Sequence, residues 1–388
     1  MRYKLGEIFN LQMGKTPDRH SPKFWNEGTE PWISIADLTK CNKYIENTAE
    51  KITATAADES GIKIIPKNTV IMSFKLSIGK VAITPKEMYS NEAIMSFIDK
   101  GVLKIEPVYL YYLLMHKDWD TGTNKAVMGK TLNKASLSQM TVNIHGYSEQ
   151  LEIIKALDAA SSIIAARKQQ LTELDNLIKA RFVEMFGDPI SNPKGWKKDK
   201  AESHIDLLSG YPFQSEQYVN DGINICGGLI IMPQKIQWQD CRHWPSVDGY
   251  EDYLLAEDDI VMALDRPWIS EGFKIAQVDS THLPALLIQR TARIRGIDVN
   301  QQYLFHCFVN GGFDKHSNVT GSLVPHISAK DIRSFEILLP PIKLQKQFAA
   351  FVKQVDKSKV VEAIYKTNTL FNITLNGGNR YDIRANEF

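Results

Sequence analysis

Short apolar runs punctuated by Gly and Pro open the chain and read as strands: Trp32-Ile33-Ser34-Ile35, Thr69 to Phe74, and Val81 to Thr84. A helical stretch around Val108 to Met115 follows, then a polar loop and a further strand at Thr141 to Ile144. Beyond that strand the period changes. Gln150, Leu157, Ile164, Leu171, Ile178 and Met185 stand seven apart, with Ile153, Ala160 and Leu174 on a matching second seam. That is a coiled-coil repeat, interrupted on the second seam by Arg167 and Arg181. A helix from Tyr147 to Phe186 is expected to be about 60 Å long at 1.5 Å per residue. Gly187-Asp188-Pro189 supplies its stop.

The first half of this pattern returns in the second half. Leu132, Leu137, Met140, Val142, Ile144, Tyr147 and Gln150 recur 195 positions later as Ile327, Ile332, Phe335, Ile337, Leu339, Ile342 and Gln345, with no gap. Val70-Ile71-Met72 answers Ile260-Val261-Met262 at an offset of 190, and Tyr109-Leu110-Tyr111-Tyr112 answers Tyr303-Leu304-Phe305-His306 at 194. The same order at nearly the same offset indicates a tandem duplication. The second copy also ends in a helix, expected from Lys343 to about Tyr365 before Asn376-Gly377-Gly378, with Phe348, Val352 and Val355 on one face. A helix of 40 residues overhangs any domain of ordinary size, so two domains strung on paired helices is the expected layout.

Composition adds bounds. The 388 residues are 43% hydrophobic and 23% charged, the balance of a soluble globular chain of two or three domains. The longest apolar run, Val108 to Met115, is far short of a membrane helix, and the first residues carry no apolar signal run. Four scattered cysteines suit a reducing compartment, so a cytoplasmic location is expected. Charge is unevenly spread. Residues 1–145 hold 19 basic and 15 acidic side chains, whereas residues 188–341 hold 14 and 20, a balance of −6.

Catalytic signatures are missing. Gly129-Lys130-Thr131 lacks the first Walker glycine, because Asn124 stands there. No Gly-x-Gly-x-x-Gly or Gly-x-Ser-x-Gly occurs, and no Asp or Glu precedes a Lys by two positions as many nucleases require. Pro340-Pro341 lacks the polar and aromatic neighbours of an amino-methyltransferase motif. Cys226, Cys241 and His243 lack zinc-ligand spacing, and no metal is expected. The pattern is that of a recognition or assembly protein.

Three stretches carry a resemblance. Leu5-Gly6-Glu7-Ile8 with Gly14-Lys15-Thr16-Pro17 and Pro31-Trp32-Ile33-Ser34-Ile35-Ala36-Asp37-Leu38 resembles a target-recognition domain of type I restriction–modification specificity subunits. Phe186-Gly187-Asp188-Pro189-Ile190-Ser191-Asn192-Pro193-Lys194-Gly195-Trp196 is similar to that family's junction between central helix and second domain, and Leu338-Leu339-Pro340-Pro341-Ile342-x-x-Gln345 to the start of its helices. The resemblance covers residues 3 to about 365. It implies an α+β fold with two similar target-recognition domains in tandem, each followed by a long helix, the helices pairing as an antiparallel coiled coil. The expected division is 1–145, 146–187, 188–341 and 342–366, with a tail at 367–388 that resembles nothing placed. Leu157, Ile164, Leu171, Ile178, Met185, Phe348, Val352 and Val355 are the expected spacer-helix residues. The implied function is non-catalytic: each domain reads half of a split DNA site, and the helices set the spacer. The implied partners are double-stranded DNA, methyltransferase subunits carrying S-adenosylmethionine, and translocating restriction subunits, with no cofactor on this chain. A fused methyltransferase or endonuclease with unrecognised motifs, and a purely protein-binding coiled-coil adaptor, stand as alternatives.

Phosphate contacts need cations and hydroxyls on loops, and base readout needs side chains that reach a groove. The first domain offers Lys15, Thr16 and Arg19; then Lys75, Ser77 and Lys80; then Asn124, Lys125, Lys130, Thr131 and Asn133. At the matching places the second offers Tyr211 and Gln214; then Arg266, Trp268 and Ser270; then Lys315, His316, Ser317 and Asn318. Arg290, Arg293 and Arg295 are expected to share one strand face and give the acidic domain a cationic stripe. Tyr109 to Met115 is assigned to core packing.

Overall fold

A computed structural model describes residues 1–75, 77–119, 124–126, 129–317 and 325–376, with backbone alone for 124–126, 129–131 and 360–376. The chain divides into two units, Met1–Ala165 together with the segment from Thr369, and Ala166–Asn368.

In the first unit, four antiparallel strands lie in the order Phe9–Met13, Ile94–Asp99, Val70–Ser73, Val81–Ile83. A three-stranded sheet sits beside them, with Glu30–Ile33 between Glu50–Ile52 and the parallel Tyr89–Ser90. Arg2–Lys4 pairs with Thr141–Asn143, which brings the chain back to its start just before the long helix. Ile35 is not in the strand expected for it. Ser34 and Asp37 form a capping box that turns Ile35–Lys40 into a helix, with the Ser34 hydroxyl and amide both donating to Asp37.

The second unit repeats this plan strand for strand. Ile205–Ser209, Thr291–Gly296, Ile260–Ala263 and Ile275–Gln277 form the four-stranded sheet. Ile223–Cys226 lies between Arg242–Trp244 and the parallel Ala285–Leu287, and Lys198–Lys200 pairs with Glu336–Leu338. Even single side chains recur. The Tyr109 hydroxyl donates to Asn143 O at 3.2 Å and the Tyr303 hydroxyl to Leu338 O at 2.9 Å, each tying a domain helix to the last strand. Both tyrosines are buried, as are Leu110, Tyr112 and Leu114, whereas Met115, assigned to core packing with Tyr109, is 40% exposed.

The central helix runs Tyr147–Phe186 and the C-terminal helix Ile342–Asn376. The second is longer than expected: it continues past Tyr365 through Thr367, Asn368 and Thr369, residues of modest helix propensity. Extending a helix that already exists escapes the nucleation cost, so weak formers stay in it. Within the second unit the two helices are antiparallel. Phe182 packs edge-on against Phe348 at 5.5 Å, Arg181 lies over Phe351 at 5.8 Å, and Lys359 pairs with Asp175 at 2.7 Å, so rising numbers on one meet falling numbers on the other. Ile164, Ile178, Phe348, Val352 and Val355 are buried, while Leu157, Leu171 and Met185 are half-buried.

At its end the central helix leaves the heptad. Its most deeply buried side chains are Phe182 and Phe186, which follow Ile178 at intervals of four rather than at Arg181 and Met185. A straight helix drifts about 20° per heptad away from a 3.5-residue seam, so the buried face rotates where it meets the domain core. The junction then caps it. Gly187 takes φ +81°, Lys194 donates to the Glu184 and Met185 carbonyls at 2.6 and 3.1 Å, and the Trp196 indole donates to Phe186 O at 2.9 Å. These groups satisfy carbonyls that a helix end leaves without partners.

Candidate nucleic-acid interface

The loops that leave one end of each four-stranded sheet gather most of the candidate residues. In the first unit the opening loop turns at Gly14, where a Cβ would lie 2.3 Å from the Ser90 and Asn91 carbonyls, so only glycine fits. Two indoles hold the loop from below: Trp32 Nε1 donates to Lys15 O at 3.1 Å and Trp25 Nε1 to Asp18 O at 3.0 Å. The Arg19 guanidinium lies 4.0 Å from the centre of the Trp25 ring and 4.7 Å from that of Trp32, and forms a forked pair with Glu50 at 2.5 and 3.1 Å. It is a pre-positioned cation with one edge exposed. The Thr16 hydroxyl donates to Glu92. Burial pushes the Glu92 carboxyl up, but the Thr16 bond, a backbone amide and the charges of Lys75 and Arg19 outweigh it and hold it below the usual carboxylate range. Glu92 therefore stays an anion bonded to Thr16, and the charges of Lys75 and Arg19 favour it from nearby.

Other candidates in this unit have structural employment. Lys15 Nζ donates to Ser60 O at 2.5 Å, Lys80 donates to Thr39 Oγ1 at 2.5 Å, and the Ser77 carbonyl accepts from Ser73. The Asn133 side chain accepts the Ser136 amide at 2.8 Å and so caps the helix Lys134–Gln139. Leu132 N donates to Phe74 O at 3.0 Å, which brings the third loop beside the second. Asn124, Lys125, Lys130 and Thr131 lie on the paired strands Asn124–Ala126 and Gly129–Thr131; their side chains lie outside the described set.

The same end of the second unit collects Tyr211, Arg266 and Arg290. Gln289 N donates to Tyr211 O at 2.8 Å and Leu264 N to Arg290 O at 2.9 Å, so these turns lie side by side. Arg290 pairs with Asp265 at 2.6 Å, and Arg266 is exposed at φ +44°. Tyr211 packs within 5.0–5.2 Å of Phe213, Tyr250 and Tyr253, an aromatic patch where the first unit has its arginine–tryptophan stack. Gln214 is exposed at the edge of that patch.

The arginine stripe does not form. Arg293 is only 7% exposed and donates to Asp206 at 2.8 Å, and Arg295 forks onto Asp259 at 2.5 and 2.7 Å. Arg290 precedes the strand in a left-handed turn and faces Asp265 instead. Alternation placed Arg293 and Arg295 on one face correctly, but that face carries acidic partners, so the charge is spent inside the domain. Trp268 stacks on Phe273 at 4.8 Å and is partly core, and the Ser270 hydroxyl donates to Glu271 at 2.6 Å. Lys315 is exposed, His316 Nε2 lies 3.1 Å from Asp331 O, and Ser317 N donates to Phe313 O. Asn318 lies outside the described residues.

Sequence reasoning missed Glu92, Glu50 and the two supporting indoles, which no single-chain pattern announces. It also missed Lys274, which the duplication could have revealed. Lys80 and Lys274 occupy one position of the repeat: each carbonyl accepts from the last residue of the neighbouring strand, Ser73 at 2.9 Å and Ala263 at 3.0 Å. No group of three metal-ligating side chains occurs among the described residues; Cys241 lies 3.7 Å from His243 and bonds Asn224. Nor is any helix among them long and apolar enough to cross a membrane.

Known proteins share this organisation. A family model described as the type I restriction modification DNA specificity domain matches residues 1–176 and 246–367. The type I restriction enzyme EcoAI specificity subunit of Escherichia coli is 31% identical over 206 residues, which is 50% of this chain and 34% of that protein. The MjaIX specificity subunit of Methanocaldococcus jannaschii is 23% identical over 374 residues, 90% of this chain and 85% of its own length. A solved structure titled for complex assembly and conformational transition of the type I R-M system has the same fold, with a TM-score of 0.53 and 14% identity over 96% of this chain and 94% of that one.

Proposed function

The chain belongs to the type I restriction modification DNA specificity family, and on that premise we propose that it reads a bipartite DNA site and scaffolds the subunits that act on it. The reading domains are 1–145 and 188–341, and the two long helices set the distance between half-sites. One observation carries this. The two units repeat one framework strand for strand, yet at the same sheet end one presents Arg19 stacked on Trp25 and Trp32, and the other Tyr211 among aromatic rings. A duplicated frame with divergent loops is what two unlike half-sites require, since loops on a rigid scaffold carry recognition. Phosphate contacts fall to Lys75, Arg266 and Arg290; base contacts fall to Arg19 and the Tyr211 patch.

The partners in this reading are two methyltransferase subunits, which bring S-adenosylmethionine, and the restriction subunits of the full complex, in the cytoplasm. The relatives' names as specificity subunits accord with a non-catalytic role. The deciding experiment is methyl transfer to DNA by the purified chain alone, by a cognate methyltransferase subunit alone, and by both together. Activity only in the mixture, at a split site, is the expected result. Methylation or cleavage by the isolated chain replaces this reading with an enzyme, and assembly without DNA binding replaces it with an adaptor.

A further inference from the structure

We infer that Leu229 is a specificity-determining residue of the second unit, an apolar wedge that enters duplex DNA at the second half-site; the inference rests on the DNA-reading function proposed above. Leu229 is 89% exposed, more than any other large apolar side chain among the described residues. Isolated exposed leucines are ordinary on protein surfaces, so exposure by itself carries little. The way this one is held is what matters.

The turn beneath it is fixed from several sides. Ile230 and Ile231, the next two residues, are buried in the core, and their amides both donate to Gly227 O at 3.1 and 3.2 Å. Gln237 N donates to Ile230 O at 2.8 Å, and the Lys274 ammonium, itself 6% exposed, donates to Gly228 O. A side chain presented by a rigid turn loses little further freedom on binding. Its setting is cationic although the domain is acidic. A Cβ added at Gly228 would lie 3.7 Å from Ala263 Cβ and 4.0 Å from the Arg290 backbone carbonyl, so the turn stands at the sheet end where Arg266 and Arg290 are exposed. Burial, and after it the Arg266 charge, lowers the Lys274 pKa. Basic side chains around a single protruding apolar one suit a polyanion with an apolar stack inside it, and apolar wedges that unstack base steps are an established way to grip DNA.

The repeat supplies an independent argument. Lys80 stands where Lys274 stands and anchors the element after the equivalent strand, but that element is the helix Ile35–Lys40, which turns Leu38 into the core. One anchor carries two different loads: a closed helix in the first unit and a turn that raises a leucine in the second. Framework residues are kept while the projecting group changes, as unlike half-sites demand.

The test uses the full chain assembled with its methyltransferase subunits, on duplexes whose site is first mapped by sequencing methylated DNA. Leu229→Ser should weaken binding to that duplex about ten- to a hundredfold, the worth of one buried leucine side chain, and relax preference in the second half-site alone. Assembly and the slope of affinity against salt should not change, and Leu229→Ile should retain most of the affinity. 2-Aminopurine placed through the second half-site should brighten with wild type and not with Leu229→Ser. Unchanged affinity and preference in Leu229→Ser overturns the inference, leaving an ordinary surface leucine. Lost assembly overturns it in favour of a protein-binding site, and a wild-type complex with no site preference overturns the DNA-reading function along with it.

Discussion

Gln150 and Gln345 stand 195 positions apart, are 1% and 3% exposed, and fasten the start of each long helix to its own domain. Gln150 accepts the Glu106 amide at 3.0 Å and donates to Lys104 O and His145 O; Gln345 accepts the Asn300 amide at 2.8 Å and donates to Pro340 O at 2.8 Å. Glu106 and Asn300 are the residues from which the domain helices Pro107–Met115 and Gln301–Asn310 begin, so one side chain links two helix starts. Leucine at either position leaves buried backbone groups unpaired, at about 1–3 kcal/mol for each group left so. Gln150→Leu and Gln345→Leu should each lower the urea midpoint, and Gln150→Leu should cost more because it strands more partners. A midpoint unchanged in both variants means the clasp is dispensable. The same scale sorts the lysines. Lys75 reaches Glu92 only through space, whereas the Lys80 ammonium is engaged by Thr39. Lys75→Ala should therefore reduce the salt slope of DNA binding by about 0.9, one phosphate's worth, without altering the preferred sequence. Lys80→Ala should act first on folding, read as a lower denaturation midpoint. A changed site preference in Lys75→Ala would show that Lys75 reads bases.

Elements were legible in the sequence where a period was sustained. The heptad from Gln150 onward marks the central helix, and the offset of 195 marks the second copy, because both signals accumulate over many residues. Short strands were legible by position but not by edge: a single serine–aspartate box converts Ile35 from strand to helix. Pairing partners were the hardest to see, since Asp206 and Asp259 meet Arg293 and Arg295 only after the strands have aligned. Phe182 shows the same limit. Heptad spacing assigns it no seam position, yet it packs against Phe186, Tyr303 and Phe348 at 5.1–5.7 Å and joins both helices to the second domain's core. Phe182→Ala should cost about 3–5 kcal/mol, with faster amide exchange along residues 342–359. Met185→Ala, on the nominal seam but half-buried, should cost less. The reverse order would mean that the heptad, not the rotated face, sets the packing.

At the scale of the whole chain, residues 188–341 carry a charge balance of −6, so DNA reading there rests on a local cationic site and not on net charge. Asp206 and Asp259 hold Arg293 and Arg295 within the sheet, while Arg266 and Arg290, the latter paired with Asp265, stay exposed at its loop end. The helices are then left with the mechanical part of the proposed function, and that part has a direct test. If the central helix sets the distance between half-sites, its length fixes the unspecified spacer. Four residues inserted between Lys168 and Leu171 add about 6 Å along the axis; being just over one turn, they rotate the second domain by only about 40°. Base pairs rise about 3.4 Å, so the spacer should lengthen by one or two, with both half-site sequences unchanged because no reading loop is altered. The insert also shifts the heptad register against the facing helix, so reduced stability and activity are expected alongside. The facing helix is 35 residues long, and a matched insertion there should restore stability without a second change of spacer. Methylated sites mapped by sequencing decide the matter. An unaltered spacer in a folded, active single insertion variant would remove the helix from its role as ruler and leave the distance to be set by the docked subunits.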